Sequence, residues 1–126
     1  MTLEEYFANI SRLIQGLTGV DIERYEEQLL SATRGNLRLR LRFPDQALLA
    51  MSEAVLCTAG TPQWLSYRYH YQEASSFVLR YDNAPHHPEV ITHPDHKHVG
   101  DDVVASAHPT IEQVLLEVQA LRERQR

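Results

Sequence analysis

Residues 65–82 read LSYRYHYQEASSFVLRYD and contain two runs in which apolar or aromatic side chains alternate with polar ones. Alternation with a period of two is typical of a β-strand that buries one face. The stretch therefore predicts an antiparallel hairpin. Its buried row is predicted to hold Leu65, Tyr67, Tyr69, Tyr71, Phe77, Leu79 and Tyr81. Its polar row holds Ser66, Arg68, His70, Gln72, Val78, Arg80 and Asp82.

The length of the turn decides which polar residues of this hairpin face each other. A loop of residues 73–75, with Gln72 paired to Ser76, keeps both aromatic rows on one face. This register predicts three cross-strand pairs: Arg68 with Arg80, His70 with Val78, and Ser66 with Asp82. Like charges that face each other across two strands are destabilising. We therefore expect an anionic partner for the arginines: Asp82, Glu53 or a bound phosphate.

The chain before the hairpin contains further regular patterns. Residues 36–43 alternate strictly between leucine or phenylalanine and arginine, which predicts a strand, and residues 3–15 have helical spacing. Residues 21–33 fit either a helix or a strand, and we predict a helix. Residues 47–57 combine helix-forming alanine and leucine with a short apolar run, so the residues alone leave helix and strand open. Near the C-terminus, residues 110–124 predict an amphipathic helix.

Five of the seven histidines lie between Arg80 and Asp101, in the stretch RYDNAPHHPEVITHPDHKHVGD. Its three prolines disfavour a regular helix or a long strand, so we predict a histidine-rich loop over residues 83–108. Histidine can transfer protons near neutral pH and is the commonest metal ligand in proteins. A functional site is therefore the first hypothesis for this loop.

The composition narrows the class of protein. The chain has 126 residues and a net charge of -5, which argues weakly against nucleic-acid binding, yet residues 34–80 carry six basic and three acidic side chains. The only cysteine, Cys57, lies in an apolar run and is predicted to be a buried hydrophobic residue. No apolar run approaches the length that spans a bilayer. We expect one domain, residues 1–126, in a soluble cytoplasmic protein.

Three interpretations of the histidine loop compete. A metal site would use His96 and His98 with His86, His87 or Asp82, of which His86 is our choice of third ligand, although no established zinc spacing is present. Acid–base cleavage of a phosphodiester would use two of His70, His96 and His98 as base and acid. In that case Arg68 and Arg80 would bind the phosphate and Lys97 would stabilise the transition state. In a purely structural interpretation, the polar side chains of the loop fix it to the sheet.

The residues from Leu65 to about Val118 resemble the TumE family, the toxin half of a bacterial toxin–antitoxin system. The shared motifs are YRYHY over residues 67–71, RYDNAPHHP over 80–88, HKHVGD over 96–101, and PTIEQVLLEV from Pro109. The looser similarity before Leu65 implies a strand rather than a helix for residues 47–57. Asp95 departs from the family, which often has a His–His pair at this point of the chain.

The resemblance implies a toxin with a cognate antitoxin, typically a helix-turn-helix protein of the Xre type, and it names no target. Combined with the residues, it predicts an RNA-directed toxin that needs no cofactor, with a divalent metal left open. Asp82, Asn83, His86 and His87 are expected to orient the loop. The alternatives are a non-catalytic binding protein and a metal-dependent hydrolase or nuclease.

The predicted fold class is α+β. One or two N-terminal helices within residues 1–33 precede an antiparallel meander of about four strands over residues 36–82. The histidine-rich loop and a C-terminal amphipathic helix, residues 109–124, complete the chain.

Overall fold

The computed structural model describes residues 1–125 and contains two helices and seven strands. In chain order these are α1 (Leu3–Gln15), β1 (Asp21–Leu29), β2 (Arg34–Arg42), β3 (Leu48–Thr58), β4 (Thr61–Glu73), β5 (Ser76–Asp82), β6 (His96–Val99), β7 (Asp102–Ala105) and α2 (Ile111–Glu123). Strands that follow one another in the chain are neighbours in one antiparallel sheet. The α+β class is confirmed, but the meander has seven strands and not about four.

Both helices pack on one face of the sheet, called the helix face here, and no helix or strand of the described residues covers the opposite, open face. The strict alternation of β2 explains this arrangement, because its leucines are buried and its arginines point away from them. One buried cluster joins α1, α2 and the inward residues of β2 to β5, among them Leu39, Tyr69 and Val114. Cys57 is free and buried within that cluster, as predicted.

The predicted helix over residues 21–33 is wrong. Residues Asp21–Leu29 form β1, the edge strand that pairs with β2, and of its apolar residues only Tyr25 packs against the core. Ile22 and Leu29 are exposed. A helix would have had too thin an apolar stripe to anchor it, whereas the acidic residues of β1 can pair with the arginines of β2.

Residues 47–57, for which the composition left helix and strand open, lie almost entirely in the central strand β3. It pairs with β2 on one side and with β4 on the other, which satisfies most of its backbone groups. Alternate residues from Leu49 to Cys57 are buried against the helices. Tertiary pairing therefore overrides the helix propensity of alanine and leucine, as the family resemblance implies.

The predicted register of the β4–β5 hairpin is wrong by two residues. The strands are joined by a two-residue turn, Ala74 and Ser75, with Ala74 in the left-handed region at φ 52°. A β-bulge between Tyr71 and Gln72 then shifts the pairing. The observed pairs are Arg68 with Asp82, Tyr69 with Tyr81, and His70 with Arg80. The two arginines thus avoid facing each other across the strands.

Two residues of the predicted buried row are exposed. Leu65 is 47% exposed, and it lies beside a second bulge, which shifts the pairing of β3 with β4. Phe77 is 36% exposed and contacts the side chains of His70 and Arg80. Bulges shift the residues that oppose each other, and simple alternation does not anticipate them.

The predicted loop over residues 83–108 is only partly a loop. Its second half folds into the hairpin of β6 and β7, so His96 and His98 lie on a strand that pairs with β5. The proline-containing segment between β5 and β6 forms a series of turns. Neither of the two 13-residue helices in the described part of the chain is long and apolar enough to cross a membrane.

Candidate functional site

The cross-strand register lines up polar side chains of the open face in two rows. The first row runs through Arg24, Arg40, Ala50, His70, Arg80 and His98. The second runs through Glu26, Arg38, Ser52, Arg68, Asp82 and His96. Residues that are far apart in sequence are therefore direct neighbours on one surface. Five of the predicted site residues lie together at the β4–β6 end of these rows: Arg68, His70, Arg80, His96 and His98.

Small side chains in the middle of the open face leave room for a ligand. An open groove of about 540 Å³ lies over Ser52, Ala54 and Ser66 and reaches Arg68 and Asp82. A second groove of about 360 Å³ is lined in part by Arg24, Arg38, Arg40 and His70. Both grooves are bordered by Arg38 and Arg68. The surface thus has the length and the positive charge to follow a polyanion.

The arginines of this face differ in how they are paired. Glu23 pairs with Arg40 and Arg42 at 3.1 Å, and Glu26 pairs with Arg24 at 2.8 Å. Arg38 and Arg68 are exposed and have no ion-pair partner among residues 1–125. Their guanidinium groups are therefore available to an anionic ligand.

Asp82 is the centre of a buried polar cluster at the end of the rows. Its side chain accepts a hydrogen bond from the backbone of Ala84 and contacts the side chains of Arg80, His96 and His98. Arg80 Nε lies 3.3 Å from Oδ2, and His98 Nε2 lies 3.4 Å from the same oxygen. A carboxylate that is only 7% exposed needs such donors to offset its loss of hydration.

His96 is held in one orientation by contacts at both ring nitrogens. Its Nδ1 lies 2.8 Å from the carbonyl oxygen of Pro94, which can only accept, so Nδ1 carries a proton. Its Nε2 lies 3.0 Å from Asp82 Oδ1 and 3.1 Å from His98 Nε2. A neutral His96 would present a lone pair to the carboxylate. The cluster therefore calls for one further cation among these atoms, either a proton or a metal ion.

His98 lies at the accessible side of the cluster. Its Nε2 faces Asp82, and its Nδ1 makes no hydrogen bond to another described residue. Burial, together with the nearby Arg80 guanidinium, lowers the pKa of His98, while Asp82 opposes that change. This arrangement leaves Nδ1 able to accept a proton from a ligand on the open face.

His70 lies on the other side of Arg80, at the border of the second groove. The Gln72 amide donates to the Ala74 carbonyl at 2.8 Å, which turns its oxygen toward His70 Nε2, also at 2.8 Å. His70 Nε2 therefore carries a proton. Its Nδ1 is buried without a hydrogen-bond partner in the described chain.

The structure places several expected site residues elsewhere. Lys97 lies on the helix face, where its Nζ is 2.7 Å from Glu117 and 4.9 Å from the centre of the Tyr81 ring. It is thus separated by the sheet from His96 and His98. Asn83 accepts a hydrogen bond from the Tyr67 backbone and donates one to the Leu65 carbonyl, contacts that its expected loop-orienting role would use. His86 is exposed and belongs to no group of three or more possible metal ligands among residues 1–125.

His87, and not His86, accompanies the strand histidines. One ligand atom from each of His87, His96 and His98 lies within 4.8 Å of the other two. The ring centre of His87 lies 4.9 Å from that of His96 and 5.4 Å from that of His98. Two adjacent histidines in a turn point in different directions, and sequence alone does not decide which one turns inward.

A second polar network, which the sequence analysis missed, lies buried on the helix face. Tyr6 and Tyr69 donate to the carboxylate of Glu53, and Tyr69 also lies 2.7 Å from His108 Nε2. Burial raises the pKa of Glu53 against the effect of these hydrogen bonds, and it lowers the pKa of His108 to about 4. The signal in sequence was a glutamate at an inward position of an alternating strand.

Comparison with known proteins gives one family. No curated protein and no solved structure matches the chain. The family model described as "Toxin TumE" matches residues 7–126, which is essentially the whole chain, and so extends the resemblance beyond residues 65–118. The chain therefore belongs to the TumE toxin family.

Proposed function

We propose that this TumE-family protein is a toxin that cleaves RNA on the open face of its sheet, without a metal ion. The observation that carries the proposal is the cross-strand row His70–Arg80–His98, in which an arginine lies between two histidines. Neighbouring strands are about 4.8 Å apart, so the two histidines flank a phosphate bound at Arg80 from opposite sides. In-line displacement at phosphorus requires a base and an acid in this relation.

The phosphate would be bound by Arg80 and Arg68. Arg80 keeps one guanidinium nitrogen on Asp82, and Arg68 is exposed and unpaired in the described residues. Arg38, which is also without an ion-pair partner in the described residues, would bind a phosphate further along the RNA, across the small side chains of β3. Arginine suits this role because its planar donors match the oxygens of a phosphate.

The reaction needs two proton transfers and no other reagent. His98 Nδ1 takes the proton of a ribose 2′-hydroxyl, whose oxygen then attacks the adjacent phosphorus. The P–O5′ bond breaks, and His70 in its protonated form moves its Nε2–H from the Gln72 oxygen to the departing 5′-oxygen and gives it that proton. The products are a 2′,3′-cyclic phosphate and a free 5′-hydroxyl. DNA is not a substrate, because it lacks the 2′-hydroxyl.

Asp82 and His96 are positioning residues in this scheme. His96 is 1% exposed and cannot touch RNA, but its ring and the Asp82 carboxylate hold His98 by its Nε2. A carboxylate behind a histidine fixes the tautomer that leaves the other nitrogen free to act as a base. The proposal thus keeps His70 and His98 as acid–base residues and leaves Lys97 out.

Membership of a toxin family supports a cognate antitoxin as the partner, and we take a helix-turn-helix protein of the Xre type as the candidate. An RNA target also places the action of the toxin in the cytoplasm. The basic open face is the surface that such an antitoxin would have to block in order to neutralise RNA cleavage.

The experiment is incubation of purified protein with total RNA, with and without EDTA. We expect cleavage in both samples, 2′,3′-cyclic phosphate ends, and a loss of about 10²- to 10⁴-fold in each of His70→Ala and His98→Ala. His86→Ala, at an exposed histidine outside the cluster, is the matched control. On induced expression, growth arrest should be weakened by His70→Ala and His98→Ala but not by His86→Ala.

Two results would reject the proposal. Full cleavage and growth arrest by folded His70→Ala and His98→Ala variants would exclude this pair as acid and base. No RNA cleavage by a protein that still binds its antitoxin tightly would favour the non-catalytic alternative. Cleavage that EDTA abolishes would favour the metal-dependent nuclease instead.

A further inference from the structure

Three histidines and one carboxylate converge at the end of the open face with the spacing of a metal site. His96 and His98 bring their Nε2 atoms to 3.1 Å, and Asp82 oxygens lie 3.0 Å and 3.4 Å from these nitrogens. Ligands about 2.0–2.1 Å from a tetrahedral ion lie about 3.3 Å from each other. All three separations are close to this value, and Asp82 would supply one of its two oxygens as a ligand.

His87 supplies the fourth corner. Its ligand atom lies within 4.8 Å of those of His96 and His98 and needs only a small movement to reach the same centre. His87 belongs to a turn between β5 and β6, and its side chain is 29% exposed, so it has room to move. His86, its neighbour, is exposed and supplies no ligand atom to this cluster.

Partners outside the cluster prepare two of the rings for coordination. The Pro94 carbonyl accepts from Nδ1 of His96, and the Glu89 carboxylate accepts from Nδ1 of His87 at 3.1 Å. In its neutral form, each ring thus keeps Nε2 unprotonated and able to bind a metal ion. A metal-binding histidine almost always donates its other ring nitrogen to a carbonyl or carboxylate in this way.

We propose that His87, His96, His98 and Asp82 bind one divalent ion of the zinc type, and that the bound ion inhibits RNA cleavage. Imidazole nitrogens favour zinc, copper, nickel and cobalt over magnesium or calcium. The ion would also provide the positive charge that the lone pairs of His96 and Asp82 require. The inhibitory part rests on the function proposed above, whereas the binding part does not.

We expect inhibition because a bound ion would decide which ring nitrogen of His98 carries the proton. An ion on Nε2 leaves the only proton of the neutral ring on Nδ1, which is the atom that must accept the proton of the 2′-hydroxyl. The ion also fixes His96 and Asp82, which hold His98 in place. A protein loaded with zinc would therefore still bind RNA through Arg38 and Arg68 but would not cleave it.

The binding test uses Co²⁺ as a spectroscopic probe, followed by competition with Zn²⁺ on the full chain. We expect one ion per chain and the strong visible absorption of a tetrahedral cobalt site, displaced by zinc. His87→Ala should weaken binding by at least about tenfold. His86→Ala, the adjacent histidine, should bind as the unmodified chain does. Thermal melting of both variants verifies that they are folded.

Two binding results would overturn the site: the absence of a stoichiometric tetrahedral cobalt spectrum, or an equal loss of affinity in His86→Ala and His87→Ala.

The activity test measures RNA cleavage with increasing zinc, relative to the zinc-free rate of each variant. We expect stoichiometric zinc to inhibit, and a higher zinc requirement in His87→Ala. Acceleration by zinc would refute inhibition. If no variant cleaves RNA at all, the proposed function fails, and the cobalt spectrum alone decides the metal site.

Discussion

Asp82 and His96 are direct cross-strand partners on β5 and β6, and Asp82 Oδ1 lies 3.0 Å from His96 Nε2. The first residue ends the β4–β5 hairpin, and the second begins the next strand. Their contact closes the turns between the two strands and attaches the histidine segment to the sheet. It also links Arg80 to His98, because both contact Asp82 Oδ2.

Asp82→Asn should therefore reduce RNA cleavage by about 10²- to 10⁴-fold, since an amide cannot hold His98 and Arg80 as a carboxylate does. We also expect a loss of about 1–3 kcal/mol in the free energy of unfolding, because a buried donor would lose its charged acceptor. Cleavage assays and urea denaturation measure the two effects. Asp101→Asn, at an exposed turn aspartate, is the control and should change neither.

Alternation in sequence predicted the strands well because it reflects burial on one face. Residues 36–42 of the predicted strand 36–43, and residues 67–71, lie in strands with the expected inward and outward sides. The strand pairing was not predictable, because a two-residue turn at Ala74 and a bulge after Tyr71 set the register. The turn contains no Asn-Gly pair or other glycine that would have indicated it in the sequence, and the alternation gives no sign of the bulge.

The same distinction holds for the site residues. Alternation places some of them on a common face, whereas the position of the others depends on strand pairing or turn geometry. Arg68, His70 and Arg80 share a predicted strand face, so their proximity followed from periodicity. Lys97 could not be placed, because its side depends on whether residues 96–99 form a strand. The choice between His86 and His87 depends on turn geometry. Edge strand β1 was missed because its contacts are mainly charged and depend on β2.

Lys97→Gln tests the separation of the two faces. Because Lys97 contacts Glu117 and Tyr81 on the helix face, we expect RNA cleavage to stay within about twofold of the original rate. Loss of the ion pair should cost at most about 1 kcal/mol, as its partly exposed groups are screened by water. A fall in cleavage comparable to that of His98→Ala would show that Lys97 reaches the reacting phosphate.

Arg68→Ala tests the open face as the RNA-binding surface. Removal of one phosphate contact should reduce the slope of log K against log salt by about 0.7 for single-stranded RNA. We expect this change, with weaker binding to all sequences, in fluorescence titrations at several salt concentrations. Arg12→Ala, on the exposed side of α1, should bind RNA with the original slope. Equal salt-dependence slopes in the original chain, Arg68→Ala and Arg12→Ala would argue against RNA binding on the open face.

Tyr69→Phe tests the buried network on the helix face. The variant leaves Glu53 with one hydroxyl donor, that of Tyr6, so we expect the free energy of unfolding to fall by about 1–3 kcal/mol. Tyr25→Phe is the matched control, because Tyr25 also donates to a glutamate, Glu27, but that bond is exposed. It should change stability by less than about 0.5 kcal/mol. Similar losses in the two variants would contradict this assignment.

His108 should make the stability of the fold depend on pH. Burial between Trp64 and Tyr67 lowers its pKa to about 4, against an ordinary value near 6.5 in the unfolded chain. Between these values the unfolded state binds more protons than the folded state, so stability must fall as the pH falls from 6.5 toward 4. Glu53 acts in the opposite direction, because its pKa is raised on folding.

The difference between the original chain and His108→Gln isolates this contribution. Glutamine can still donate to Tyr69, but it does not titrate, and Glu53 is present in both proteins. In urea denaturation, we expect the difference in unfolding free energy to change progressively between pH 6.5 and 4 in favour of the variant. His86→Gln, at an exposed histidine, should follow the original chain. A difference that is constant over this range would mean that His108 takes up protons equally in both states.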